Sequence, residues 1–167
     1  MKKIASMTVA VALLGSVMGT ANADTATKRY YQNATGICQA SLPSFEGAIR
    51  KRPTAVANEG ASSAFVSCSA PTSSEASTGI TQVSIVLYNR TASAIPVTCT
   101  FVHSFQAGGT LVPKSISVPA NSRAFLNFTT ADVGNPASLA FANFNCALEP
   151  GTDVGYVYYN YTYEIGT

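Results

Sequence analysis

Five tyrosines crowd the C-terminal stretch of the chain: Tyr156, Tyr158, Tyr159, Tyr161 and Tyr163. With the period-two alternation of a strand, Val157, Tyr159, Tyr161, Tyr163 and Ile165 share one face, and Tyr156, Tyr158, Asn160, Thr162 and Glu164 share the other. One face belongs to a core. The other offers rings that can stack on sugars or on another protein, with amide and carboxylate groups beside them for hydrogen bonds. Tyr156, Tyr158, Asn160 and Glu164 are therefore the candidate ligand-binding residues, set against the plainer reading that tyrosine is a good strand former.

Catalytic chemistry finds less support. His103 is the single histidine, beside Ser104 and Phe105, and no GxSxG elbow accompanies it. Glu46, Glu59, Glu75, Asp132, Glu149, Asp153 and Glu164 could supply a carboxylate pair for glycoside hydrolysis, but most fall in loops or at strand ends. There is no phosphate-binding Walker loop, dinucleotide glycine pattern or calcium loop. The basic run Arg50-Lys51-Arg52 is a candidate anion site; the same three charges before Pro53 also suit a solvated turn or a blunted strand edge. Asn33, Asn89, Asn127 and Asn160 each open an Asn-x-Thr triplet, which reads as polar surface.

The four cysteines Cys38, Cys68, Cys99 and Cys146 form no CxxC, and no histidine stands at ligand spacing, so zinc is not expected. An even set in an exported chain reads as disulfides. Three pairings are open; Cys38 with Cys68 and Cys99 with Cys146 is preferred, because each pair then joins elements that can lie side by side.

Export is read from the N-terminus. Lys2 and Lys3, the apolar run Ile4 to Val17 and the ending Ala21-Asn22-Ala23 have the three parts of a secretory signal peptide, with cleavage expected after Ala23. The apolar run is short for a membrane span, and residues 24–167 contain no comparable stretch, so a single soluble domain is expected there. Cleavage removes two of the ten basic residues and leaves the rest balanced by eight acidic ones. A neutral chain is a poor partner for nucleic acid.

The elements that must hold these groups are strands. Short alternating apolar runs recur between clusters of Gly, Pro, Asn and Ser, and no stretch shows a convincing helical period. Runs at Thr35–Ala40, Ser63–Ser69, Gln82–Arg90, Val97–Val102, Leu111–Val118, Arg123–Thr129, Leu139–Leu148 and Val154–Ile165 read as strands, with a weaker region at Ala48–Asn58 that turns at Arg52-Pro53. Gln82–Arg90 and Val97–Val102 are expected to form a hairpin. A second hairpin is expected around Pro119-Ala120-Asn121-Ser122. Eight or nine strands without helices imply an all-β, antiparallel two-sheet sandwich of immunoglobulin-like or jelly-roll kind, since each sheet must bury one face against the other.

The stretches Gly36-Ile37-Cys38-Gln39-Ala40, Ile49-Arg50-Lys51-Arg52-Pro53 through Ala57-Asn58-Glu59-Gly60, Ala64-Phe65-Val66-Ser67-Cys68 and Glu149-Pro150-Gly151 resemble a group of small exported bacterial proteins of uncharacterised function. The resemblance implies export and a disulfide-bonded β domain; it carries no known activity, ligand or catalytic residue and adds nothing to mechanism, and no cofactor is expected from the residues themselves.

The functional expectation is an exported, non-catalytic module, periplasmic or secreted, that meets an unknown protein or glycan at the cell envelope as an interaction or structural element. A carbohydrate-binding module using the last strand is the alternative, and a small secreted hydrolase the third.

Overall fold

The computed structural model describes residues 24–70, 79–103, 109–134, 136, 139 and 142–165. Among them are eleven strands in two antiparallel sheets packed as a sandwich, more strands than the alternation alone resolves. In one sheet, β3 (Ile49–Arg52), β4 (Ala55–Asn58), β11 (Thr152–Ile165), β6 (Ile80–Asn89) and β9 (Ser122–Thr129) lie in that order, and β1 (Asp24–Asn33) pairs with β11 beyond the short β4. The other sheet runs β2 (Cys38–Ala40), β5 (Ala64–Ala70), β10 (Ala142–Leu148), β7 (Ile95–His103), β8 (Thr110–Val118).

The alternation sorts each strand. Val83, Ile85 and Leu87 of β6, Leu126 and Phe128 of β9, and Val157 and Tyr159 of β11 face Val66 of β5, Val97 and Phe101 of β7, and Phe144 and Leu148 of β10, all buried. Phe101 and Phe128 stack across the interior at 5.3 Å. Each such side chain contributes about 1.5–3 kcal/mol by leaving water. The disulfides are Cys38–Cys68 and Cys99–Cys146, each between directly opposed residues of neighbouring strands with Cα atoms 4.0 Å apart. Both lie within the five-stranded sheet and are buried.

Both expected hairpins are corrected. β6 pairs with β11 and β9, whereas β7 pairs with β10 and β8, so the turn at 90–94 carries the chain from one sheet to the other. The Pro119-Ala120-Asn121 turn does the same between β8 and β9. An arch and a hairpin demand the same signals, two alternating strands and a short polar turn, and differ only in whether the strands meet edge to edge or face to face. Two buried asparagines hold arches closed. Asn58 donates to Ser62 O at 2.9 Å and Leu148 O at 2.7 Å and accepts from Gly60 N at 2.9 Å. Asn89 repeats the pattern with Ser93 O at 2.7 Å, Val118 O at 3.0 Å and Thr91 N at 2.9 Å.

Two further local expectations change, and one, the turn after Arg52, is kept and sharpened. Thr35–Ala40 is not one strand: a helical turn, α1 (Ala34–Ile37), precedes β2, and Asn33 Oδ1 caps it by accepting from Thr35 N. The weak Ala48–Asn58 region is a hairpin of β3 and β4. The strand over Leu139–Leu148 begins at Ala142, Leu139 making a single bridge to Ile80. The expected signal peptide at 1–23, the Ser/Thr-rich stretch at 71–78, which includes Glu75, and Ser104 and Phe105 lie outside the described residues.

Candidate functional site

The outward face of the six-stranded sheet brings four strands together around β11. Because antiparallel partners stand side by side, their outward side chains form rows across the sheet. The lowest row is Asp153, Tyr88 and Arg123; above it stand Asn33, Tyr156, Val86 and Phe125; then Tyr31, Tyr158, Ser84 and Asn127; then Arg29, Asn160, Gln82 and Thr129. Tyr156, Tyr158 and Asn160 occupy the face the alternation predicts and are half-buried, while Val157, Tyr159 and Tyr161 are buried on the other. Glu164 pairs with Thr25 at the far end of the β1–β11 ladder.

The rings form one cluster. Tyr158 lies 5.6 Å from Tyr31, 6.4 Å from Tyr156 and 6.5 Å from Phe125, and Tyr31 lies 6.0 Å from Tyr156. The Arg29 guanidinium sits 4.6 Å above the Tyr158 ring and Arg123 5.5 Å from the Phe125 ring, attracted by the negative ring faces. Tyr31 is 58% exposed and Phe125 39%, so the cluster presents ring surface to solvent.

Beside the rings runs a polar chain. Arg29 Nε donates to Asn160 Oδ1 at 3.0 Å, Asn160 Nδ2 to Gln82 Oε1 at 3.2 Å, Gln82 Nε2 to Ser84 Oγ at 2.9 Å and Ser84 Oγ to Asn127 Oδ1 at 2.7 Å. Each amide keeps donor or acceptor capacity beyond these bonds.

At the lower end the face deepens into a cleft of about 680 Å³, with Tyr88, Arg90, Arg123, Asp153 and Tyr156 in its wall. A bulge at Gly155, where the β11–β6 register shifts between Val154 and Tyr156, puts Asp153 and Tyr156 on the same face and both Val154 and Val157 in the core. Asp153 is 2% exposed. Its Oδ2 meets Arg90 Nη2 at 2.5 Å, and its Oδ1 has no hydrogen-bond partner among the described residues. Burial raises the Asp153 carboxyl above its ordinary value, and the Arg90 charge only partly offsets that.

The other candidates lie elsewhere. Arg50, Lys51 and Arg52 stand on β3, a sheet edge, and period two points Lys51 away from the other two. Each has a partner: Arg50 Nη1 donates to Glu46 O at 2.7 Å, Lys51 Nζ to Thr35 O at 3.2 Å, and Arg52 Nε to Glu59 Oε1 at 2.6 Å. That pairing holds the Glu59 carboxyl below its ordinary value. His103 ends β7, and its Nδ1 is buried without a partner among the described residues. No group of three or more His, Cys, Asp or Glu able to hold a metal occurs among the described residues.

Sequence reasoning missed Tyr31, Arg29, Phe125 and Arg123. Arg123, Phe125 and Asn127 alternate with the buried Ala124, Leu126 and Phe128, so that half of the platform was open to the same argument as the tyrosines. β1 offered no such signal: Asp24–Asn33 is polar and mostly exposed, and it is a strand because β11 supplies the other half of its ladder.

No family model matches the chain, and no curated protein matches it. Among solved structures it is similar to the disulfide-linked pili of Bacillus endospore appendages, at 14% identity and TM-score 0.40 over 90% of this chain and 96% of that one. It is similar as well to a carbohydrate-binding module solved with β-1,4-galactotriose, at 10% identity and TM-score 0.36 over 82% and 88%. A family 11 carbohydrate-binding module from Clostridium thermocellum, in complex with a β-1,3-1,4-mixed-linked tetrasaccharide, gives 12% identity and TM-score 0.36 over 90% and 93%. Likenesses of this size leave the functional reading to the site itself.

Proposed function

We propose that the protein is an exported, non-catalytic module that binds carbohydrate on the outward face of its six-stranded sheet. The observation that carries this reading is the ring cluster of Tyr31, Tyr156, Tyr158 and Phe125, exposed at Tyr31 and Phe125 and half-buried at the other two, alongside the Arg29–Asn160–Gln82–Ser84–Asn127 chain. A sugar presents an apolar C–H face and a rim of hydroxyls that both donate and accept. The rings suit the first and the amides the second. Ring–ring and cation–π contacts already hold the platform in place, so little side-chain entropy is lost on binding. Two buried disulfides suit an oxidising compartment, in the periplasm or outside the cell.

Purified protein carrying Tyr31→Ala or Tyr158→Ala, screened on a glycan array and then by affinity electrophoresis, tests the proposal. We expect retention of at least one glycan class and a loss of about tenfold or more in either variant, the size of an anchoring ring. Silence across the array, or unchanged retention in both variants, would remove it.

A second reading, a protein-interaction or structural module, is favoured by β1, which pairs with β11 and has no strand on its other edge among the described residues, an edge suited to strand addition. Tyr31→Ala leaves those backbone groups untouched. Concentration-dependent association that survives this variant would favour the second reading.

A further inference from the structure

We infer that the cleft below the platform takes an acidic sugar, a uronate, with its ring against Tyr156, a hydroxyl donating to Asp153 Oδ1 and its carboxylate on Arg123. The inference rests on the carbohydrate reading and adds the ligand class. Its first support is Asp153 Oδ1, a buried acceptor in the cleft wall with no partner among the described residues. A buried oxygen of this kind is satisfied when a ligand brings a donor. Sugar hydroxyls are such donors.

The second support is charge. The cleft wall carries two guanidiniums, Arg90 and Arg123, and one carboxylate. Arg90 is paired with Asp153; Arg123 is exposed and has no ion pair among the described residues. Arg123 stands two residues before Phe125, across Tyr88 from Asp153, so a group bound to it lies within the same row as the orphaned oxygen. A guanidinium fork matches a planar carboxylate. A phosphate brings close to two negative charges against Asp153 where a uronate brings one, so the carboxylate is the better fit. The volume of about 680 Å³ suits a small-molecule site and continues directly into the Tyr156–Tyr158 row, which would hold the neighbouring sugar units.

Isothermal titration of the disulfide-intact protein with an oligogalacturonate, an uncharged galacto-oligosaccharide of equal length and polyglutamate tests this. We expect the oligogalacturonate to bind at least about tenfold more tightly than the neutral chain, the discrimination of one charged hydrogen-bonded pair. Arg123→Gln should abolish that difference. Polyglutamate, which has carboxylates and no sugar rings, should not bind. Equal affinity for the two oligosaccharides, indifference to Arg123→Gln, or polyglutamate binding as tightly would overturn the inference; loss of neutral-chain binding in Tyr31→Ala would still uphold the platform. No binding of either oligosaccharide, with silence on the array, would remove both proposals.

Discussion

The ring of Tyr88 lies on Gly155, with its Cε2 and Cδ2 in the space that a β-carbon there would fill. Tyr88 and Asp153 are opposed in the β6–β11 ladder, and the glycine lets β11 bulge beneath the ring. This contact places Asp153 and Tyr156 on one face, so the cleft depends on a residue that contributes no side chain.

Gly155→Ala should therefore displace the Tyr88 ring. Overpacking of this kind costs about 1–3 kcal/mol. Urea denaturation should show a lower midpoint with an unchanged slope, and intrinsic tyrosine fluorescence should change in the folded state. A midpoint equal to that of the wild type would show that the ring yields freely.

The asparagine clamps should be costly to remove. Asn58→Ala strips hydrogen bonds from Ser62 O, Leu148 O and Gly60 N, and Asn89→Ala from Ser93 O, Val118 O and Thr91 N. A buried group left without a partner costs about 1–3 kcal/mol. Both variants should lose at least that much in chemical denaturation, whereas Asn127→Ala on the half-exposed polar chain should lose less. The reverse order would refute the clamp role.

The disulfides close separations of 30 and 47 residues. In the chain-entropy model each contributes roughly 3–4 kcal/mol by restricting the unfolded chain. Intact-mass analysis under native conditions should find no free thiol, and reduction should lower the thermal midpoint by several degrees. Because Cys99 and Cys146 are fully buried in β7 and β10, inside the sheet, whereas Cys38 lies on edge strand β2, the Cys38–Cys68 bond should be reduced first under gentle conditions. Peptide mapping of alkylated thiols would reveal the opposite order.

Three carboxyls give stability a pH dependence of mixed sign. Burial works against ionisation of Asp132, but hydrogen bonds from Lys114 and Thr129 outweigh it and hold the carboxyl below its ordinary value; Arg52 does the same for Glu59. Their contributions are present above the ordinary carboxylate range and are lost as pH falls through the lowered folded values. Asp153 is shifted upward, so its contribution runs the other way and declines as pH rises from the ordinary value through the raised one. Wild type should lose stability in acid, and the midpoint difference, Asp153→Asn minus wild type, should grow as pH rises out of the acid range. Thermal melts across a pH series giving a constant difference would contradict this.

The residue pattern by itself determined the fold class, which strands have a buried face, and the sorting of β11 from Tyr156 onward, because alternation with period two is a local property that burial on one face imposes. It also allowed the cysteine pairing that the sheet adopts, Cys38 opposite Cys68 and Cys99 opposite Cys146. Tertiary structure alone decided which strands are edge-to-edge neighbours: the same turns at Arg90–Ala94 and Pro119–Asn121 serve hairpin or arch, and the choice rests on β11 entering between β4 and β6 from far along the chain. It decided that polar Asp24–Asn33 is a strand, since that ladder exists only once Tyr156–Ile165 lies beside it. The bulge at Gly155 was decided there too, and it breaks the alternation that any reading of the sequence must assume; strict period two would have placed Asp153 with Val157 in the core rather than in the cleft.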